Sequence, residues 1–281
     1  MTHYTDPAER IWSARELTAL VSGWRVPTPR PRLQTYGAVT VVREDEREYG
    51  TKSRLLDALM CATDAREFVF GSASSTGLGA VALAEACHRH QRRCRMFLAK
   101  RAPAQWTPQQ RRILELGTDV VWVPNGMLSV TTARAREHAA KRKDRLWLPI
   151  GLEHPVVVAA MVKTSRSVVR SLKREPTIVV SVGSSGVINR GLQIAFPDAR
   201  VIFVQTHHQP TARERGRAEV IVSQVPKGRP APLSEQPPFP SVVAWDAKGW
   251  IVAKRHAPCL FWNIGADNAC EDAAPSRILR G

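Results

Sequence analysis

Short, mostly apolar runs that alternate with helix-patterned stretches narrow the folds open to this chain. EFVFG (67–71), RMFLAK (95–100), DVVWVP (119–124), LWLPI (146–150), TIVVSV (177–182), RVIFVQ (200–205) and CLFWNIG (259–265) have few polar interruptions. Runs of this length read as strands covered on both faces, the mark of parallel sheets. Helical spacing fills the intervals: 53–62, 75–90, Pro108 to Leu116, 129–143, 154–172, and VINRGLQIA after GSSG. This alternation predicts an α/β fold of parallel sheets flanked by helices. VTVVRE (39–44) and AEVIVS (218–223) read as further strands, and Arg10 to Val21 as a short helix. VPTPRPR and the Pro-rich residues 226–240 read as connectors, and the tail after Asn268 as poorly ordered.

The charge is unusual. Lys plus Arg is 41 and Asp plus Glu is 25, for a net +16 in 281 residues. Residues 86–112 carry eight Lys/Arg and no acid, and residues 134–145 carry six against Glu137 and Asp144. A balance of that size points to a polyanion such as nucleic acid, whereas any single run is equally a solvated face. The five cysteines are scattered, with no C-x-x-C pair, so neither a disulfide framework nor a zinc site is expected. The N-terminus has early acids and no apolar leader, and no run reaches the roughly 18 apolar residues of a membrane helix. A cytoplasmic protein is the expectation.

Three local features carry chemistry. In GTKSRLLDALM (50–60), Lys52 stands where a helix begins. Helix N-termini disfavour cations, so Lys52 is either a solvated turn lysine or an amine whose pKa the local field lowers. TIVVSV-GSSG-VINRGL sets Gly183, Ser184, Ser185 and Gly186 between a strand and a helix, a place suited to one phosphate, though the Walker lysine is missing. VFGSASSTGLGAVALA holds a GxGxxA match from Gly77, but Lys100 stands where a dinucleotide fold has its acid. An NADP-binding reading therefore survives only as an alternative.

In this order, the three features resemble fold type II, tryptophan-synthase-β-like, pyridoxal-phosphate enzymes. The match is nearest to the aminocyclopropane-carboxylate deaminase and D-cysteine desulfhydrase group. GTKSRLLDAL is similar to that group's G-N-K-x-R-K-L-E-x-L at Gly50, Lys52, Arg54 and Leu56. LPIGLEHPVVVAAM resembles P-x-G-G-S-x-P-x-G-A-x-G, SVVAWDAKGW resembles P-V-Y-[TE]-G-K-x-M, and CLFWNIGA resembles V-L-F-x-H-T-G-G. The resemblance implies a two-domain fold type II architecture, with 1–52 plus 151–281 as the larger domain and 53–150 as the smaller. It implies a homodimer and a Schiff base between Lys52 and pyridoxal 5′-phosphate, with Lys52 later moving protons at Cα. Gly183, Ser184, Ser185 and Gly186 would hold the phosphate and Asp246 the pyridine nitrogen. Ser74, Ser75, Thr76 and Gly77 would form the substrate turn, with Thr76 also at the cofactor and Ser75 catalytic. The family's Asn in that turn is absent, and the threonine of HTGG is Ile264.

Trp245 stands where that group has a tyrosine, so ring-opening deamination is not expected. Deamination, decarboxylation or elimination at Cα of an amino acid is. Asp246 alone also reads as a turn acid before a strand, and Lys248 as a surface cation. His207 and His208 follow RVIFVQ and read either as substrate contacts or as a solvated loop. Trp122, Trp147, Trp250 and Trp262 read as packing residues. Charge and resemblance together suggest an amino acid attached to a nucleic-acid base, such as a hypermodified pyrimidine of bacteriophage DNA. A non-catalytic, basic nucleic-acid-binding member of the fold is the competing expectation.

Overall fold

The computed structural model describes residues 3–5, 11–72, 77–172, 174–207 and 209–267. The chain forms two compact units: 1–63 with 150–266, and a second built on 64–149. In the first unit, β1 (His3–Thr5) and β2 (Ile11–Ser13) form an antiparallel ribbon, followed by α1 (Ala14–Leu20), β3 (Arg32–Tyr36), β4 (Val39–Arg43) and α2 (Gly50–Ala62). The second unit runs β5 (Glu67–Ser72), α3 (Leu78–Arg89), β6 (Arg93–Ala99), α4 (Pro108–Glu115), β7 (Asp119–Val123), α5 (Leu128–Ala140), β8 (Arg145–Leu148). The chain then returns through α6 (Pro155–Val169), β9 (Ile178–Gly183), α7 (Val187–Ala195), β10 (Arg200–Gln205), α8 (Ala212–Arg215), β11 (Glu219–Val222), α9 (Asp246–Arg255) and β12 (Cys259–Asn263).

The first unit has a six-stranded sheet in the order β11-β10-β9-β12-β4-β3, parallel except for β3. On one face Val41, Val180, Val182, Ile202, Val204 and Phe261 pack with Trp250 and Phe239. Alternate strand residues point to opposite faces, so the continuous apolar runs follow from having both faces covered. α9 lies on β9 and β12, while α6 packs against α1, α2 and α7. Gly249 lets α9 approach the sheet, because a Cβ there would lie 2.1 Å from Val182 Cγ2 and 2.9 Å from Phe261 Cε2. The second unit has a four-stranded parallel sheet in the order β7-β6-β5-β8. Among the described residues, no helix is long and apolar enough to cross a membrane.

The α/β architecture is the one expected, with four local differences. The expected helix from Arg10 starts at Ala14, where Ser13 and Glu16 form a capping box, because Ile11–Ser13 pairs in the ribbon. β3 takes over the end of the VPTPRPR connector; as an edge strand with no buried residue, it has no apolar run to reveal it. α9, which includes Asp246, was assigned no element from sequence, since Gly249 interrupts its pattern. α2 starts at Gly50 rather than Ser53, so Lys52 lies inside its first turn. No side chain caps this start. Tyr49 (φ 55°) and Gly50 (φ 62°) turn the chain in left-handed conformations instead.

Two contacts fix α2. The Arg54 guanidinium, 1% exposed, donates to both oxygens of the fully buried Glu44 at 2.9 and 3.1 Å through Nε and at 2.9 Å through Nη2. Its Nη1 donates to Pro27 O at 2.5 Å. Gly50 touches the chain after β12 so closely that a Cβ would lie 1.9 Å from Ile264 O. Arg54→Ala strands the Glu44 carboxylate and should lower unfolding free energy by about 3–5 kcal/mol, read by urea denaturation. Gly50→Ala adds a clash to a positive φ and should cost more than about 1 kcal/mol in the same assay.

Candidate active site

The carboxyl ends of β4, β12, β9 and β10 share one edge of the six-stranded sheet, where α/β folds place ligands. Phe261 pairs in register with Val180, so continuing the strands sets Ile264 level with Gly183. Gln205 is level with Gly183 on the other side. The lysine helix, the glycine turn and the segment carrying His207 therefore emerge side by side.

The Ile264 peptide joins two helices. Its carbonyl accepts from Thr51 N–H at 2.8 Å, and its N–H donates to Asp246 Oδ1 at 3.2 Å. Trp262 Nε1 donates to Thr51 Oγ1 at 3.0 Å from a fully buried ring. The first turns of α2 and α9 are thus tied to one strand end, with Lys52 one residue beyond Thr51 and Asp246 buried at the start of α9. Desolvation pulls the Lys52 amine down to about 8, and the nearby Asp246 charge partly opposes that fall. Lys52 is therefore not a freely solvated turn lysine, and burial rather than a positive local field lowers its pKa.

The turn Gly183, Ser184, Ser185 and Gly186 links β9 to α7, a nine-residue helix with no acid in its first turn. Gly186 caps it with φ 69°, and a Cβ there would lie 2.3 Å from Glu214 O, so only glycine fits. Ser185 lies against Gly151, where an added Cβ would meet its Oγ at 2.0 Å. The buried Asn189 of α7 donates to Glu214 O at 3.2 Å and Arg215 O at 3.1 Å, and Arg190 reaches Glu153 Oε1 at 2.6 Å. The Asn189 bonds hold α8 against the first turn of α7. The positive end of the α7 dipole faces the Gly183–Gly186 turn, a setting in which an anion is favoured.

Two features were not legible in the sequence. The His207 imidazole stacks on the Trp245 indole, with centroids 3.8 Å apart and planes at 7°. Thr206 Oγ1 lies 3.3 Å from His207 Nδ1, and Trp245 Nε1 is buried with no hydrogen-bond partner among the described residues. No local pattern couples residues on two different connections, although each stood beside a segment already singled out. Lys248 is also not the surface cation expected: it is 1% exposed, its Nζ donates to Pro226 O at 2.9 Å, and burial lowers its pKa. Asp246 opens a helix and is not a turn acid before a strand. Gly77 caps α3 in the second unit. Ser74, Ser75, Thr76 and His208 lie outside the described residues.

Comparison with known proteins bears on the family and the fold. The family model described as pyridoxal-phosphate dependent enzyme matches residues 20–249. No curated protein sequence matches the chain. Among solved structures, an ACC deaminase homologue superposes with a TM-score of 0.71 at 14% identity, over 89% of this chain and 94% of its own. Diaminopropionate ammonia lyase of Escherichia coli, in apo form, gives 0.63 at 13% identity, over 90% and 87%. Serine racemase of Dictyostelium discoideum gives 0.63 at 13% identity, over 91% and 97%. At such identities the structures speak for the fold alone, and the family model carries the assignment. The chain belongs to the pyridoxal-phosphate dependent enzyme family, with the fold type II architecture that its motifs implied.

Proposed function

We propose that this carboxyl edge holds pyridoxal 5′-phosphate through Lys52, the Gly183–Gly186 turn and Asp246, and that the enzyme works at Cα of an amino-acid-type substrate by deamination, decarboxylation or elimination. What supports this most directly is the Lys52 amine, lowered to about 8 beside the buried Asp246. The residues fit the cofactor: an amine for its aldehyde, an N-terminal turn without acids for its phosphate, and a fixed carboxylate for its ring nitrogen. When bound, the cofactor supplies an electron sink for the charge left at Cα.

The chain's own groups do the rest. A fall from 10.5 to about 8 makes roughly 300-fold more neutral amine available at neutral pH. Lys52 can then take and return a proton at Cα. Asp246 is fixed by the Ile264 N–H, so its charge stays in place as protons move. A carboxylate facing the ring nitrogen favours its protonated form and strengthens the sink.

For the substrate we favour an amino acid or amine carried on a nucleic-acid base. A free amino acid places no demand on a net charge of +16, whereas a polyanionic carrier does.

Purified protein with pyridoxal phosphate should show a visible band that borohydride abolishes, with pyridoxyl mass on the Lys52 peptide; Lys52→Ala should show neither. A protein that stays colourless on reconstitution overturns the assignment. Capture of the cofactor requires neutral amine, so its rate should rise with pH and level off above about 8. Asp246→Asn removes the charge that holds the proton on Lys52, so stopped-flow absorbance should show that profile displaced to lower pH.

A further inference from the structure

We infer that the carboxyl edge of the four-stranded sheet in the second unit is a binding surface for single-stranded nucleic acid. This rests on the nucleic-acid-borne substrate proposed above and not on the cofactor site. Register aligns Ala99 with Val123, so the segments after β6 and β7 leave from one edge. Lys100 N–H extends the ladder to Val123 O at 2.9 Å. Beyond it Trp106 Nε1 donates to Arg101 O at 3.2 Å. The Trp106 ring stacks on Trp122, with centroids 5.2 Å apart and planes at 10°. Both indoles are half-buried. Met127 and Leu128, next on the same edge, are 62% and 43% exposed.

At the amino edge of this unit several basic residues are paired with acids. Glu67 takes His138 at 2.6 Å and Arg145 at 3.1 Å, Asp119 takes Arg95, and Asp144 takes Arg142 at 2.8 Å. At the carboxyl edge, Lys100 is exposed, and neither it nor Arg101 has an ion pair among the described residues. The first turns of α3, α4 and α5, which open at this edge, contain no acid. A positive edge bearing paired indoles and exposed apolar side chains meets both needs of an unpaired strand: phosphate neutralisation and base stacking. A duplex hides its base faces and would use only the charge.

Fluorescence anisotropy of the full chain without cofactor, with a labelled single-stranded oligonucleotide across a potassium chloride series, tests this. DNA and RNA versions of one sequence identify the preferred sugar. Lys100→Glu with Arg101→Glu should weaken binding at least about tenfold and reduce the log–log salt slope by about 1.4, two phosphate contacts' worth. Lys227→Glu with Arg229→Glu, the same charge change in the other unit, should bind close to wild type. Trp122→Leu should lose about fivefold or more and remove the indole quenching on binding. Thermal melts establish that the variants are folded, and the charge variants test the surface even if Trp122→Leu is not. Equal losses in both charge variants, a duplex or inorganic polyphosphate bound as tightly per charge, or no binding at all would overturn the surface. Because no cofactor is present, such failures leave the Lys52 site standing. A chain that binds the strand but captures no pyridoxal phosphate overturns the site and leaves the surface.

Discussion

The backbone of Ile264 is the joint on which the carboxyl edge of the six-stranded sheet depends. Its carbonyl anchors the first turn of the lysine helix and its N–H anchors the acid that opens α9. Both are backbone bonds, so the side chain at 264 is free to vary. This explains how an isoleucine can stand where the resembled motif has threonine. The arrangement needs a glycine at 50, because any Cβ there would collide with that carbonyl. It also needs the buried Arg54–Glu44 pair, which ties α2 to the segment after β4. Gly50, Arg54 and Leu56 form one mechanical unit around Lys52: a turn, a tether and a core contact.

The electrostatics follow from that joint. α2, α7 and α9 begin at the carboxyl edge, so the positive ends of three dipoles gather there. A desolvated amine gives up its proton more readily, while the turn at Gly186 attracts an anion. Asp246 is the counterweight: its charge keeps Lys52 near 8 and stops it falling further.

Much of the fold was legible because parallel strands buried on both faces leave unbroken apolar runs; β9 and β10 lie where TIVVSV and RVIFVQ placed them. Elements with weaker local signatures were lost. β3 is an exposed edge, and α9 is interrupted by glycine. The true start of α2 has no capping side chain, only two left-handed residues. The glycine turn stands out because it joins an apolar strand to a helix, whereas Asp246 follows a long connector and stood out only through the family resemblance. The His207–Trp245 stack could not be read, since it is made by tertiary proximity alone. Lys248 was misjudged for the same reason: its carbonyl partner, Pro226, lies in a connector with no pattern of its own.

Gly249 sets the height of the acid. The missing methyl lets α9 settle onto Val182 and Phe261, and Asp246 sits one turn back along that helix. The spacing between carboxylate and amine is therefore gauged by a residue that touches neither. A side chain at 249 would act as a shim, lifting the helix and slackening the bond to Ile264. The electrical setting of the edge would drift with it, and inspection of the two charged groups alone would miss the cause.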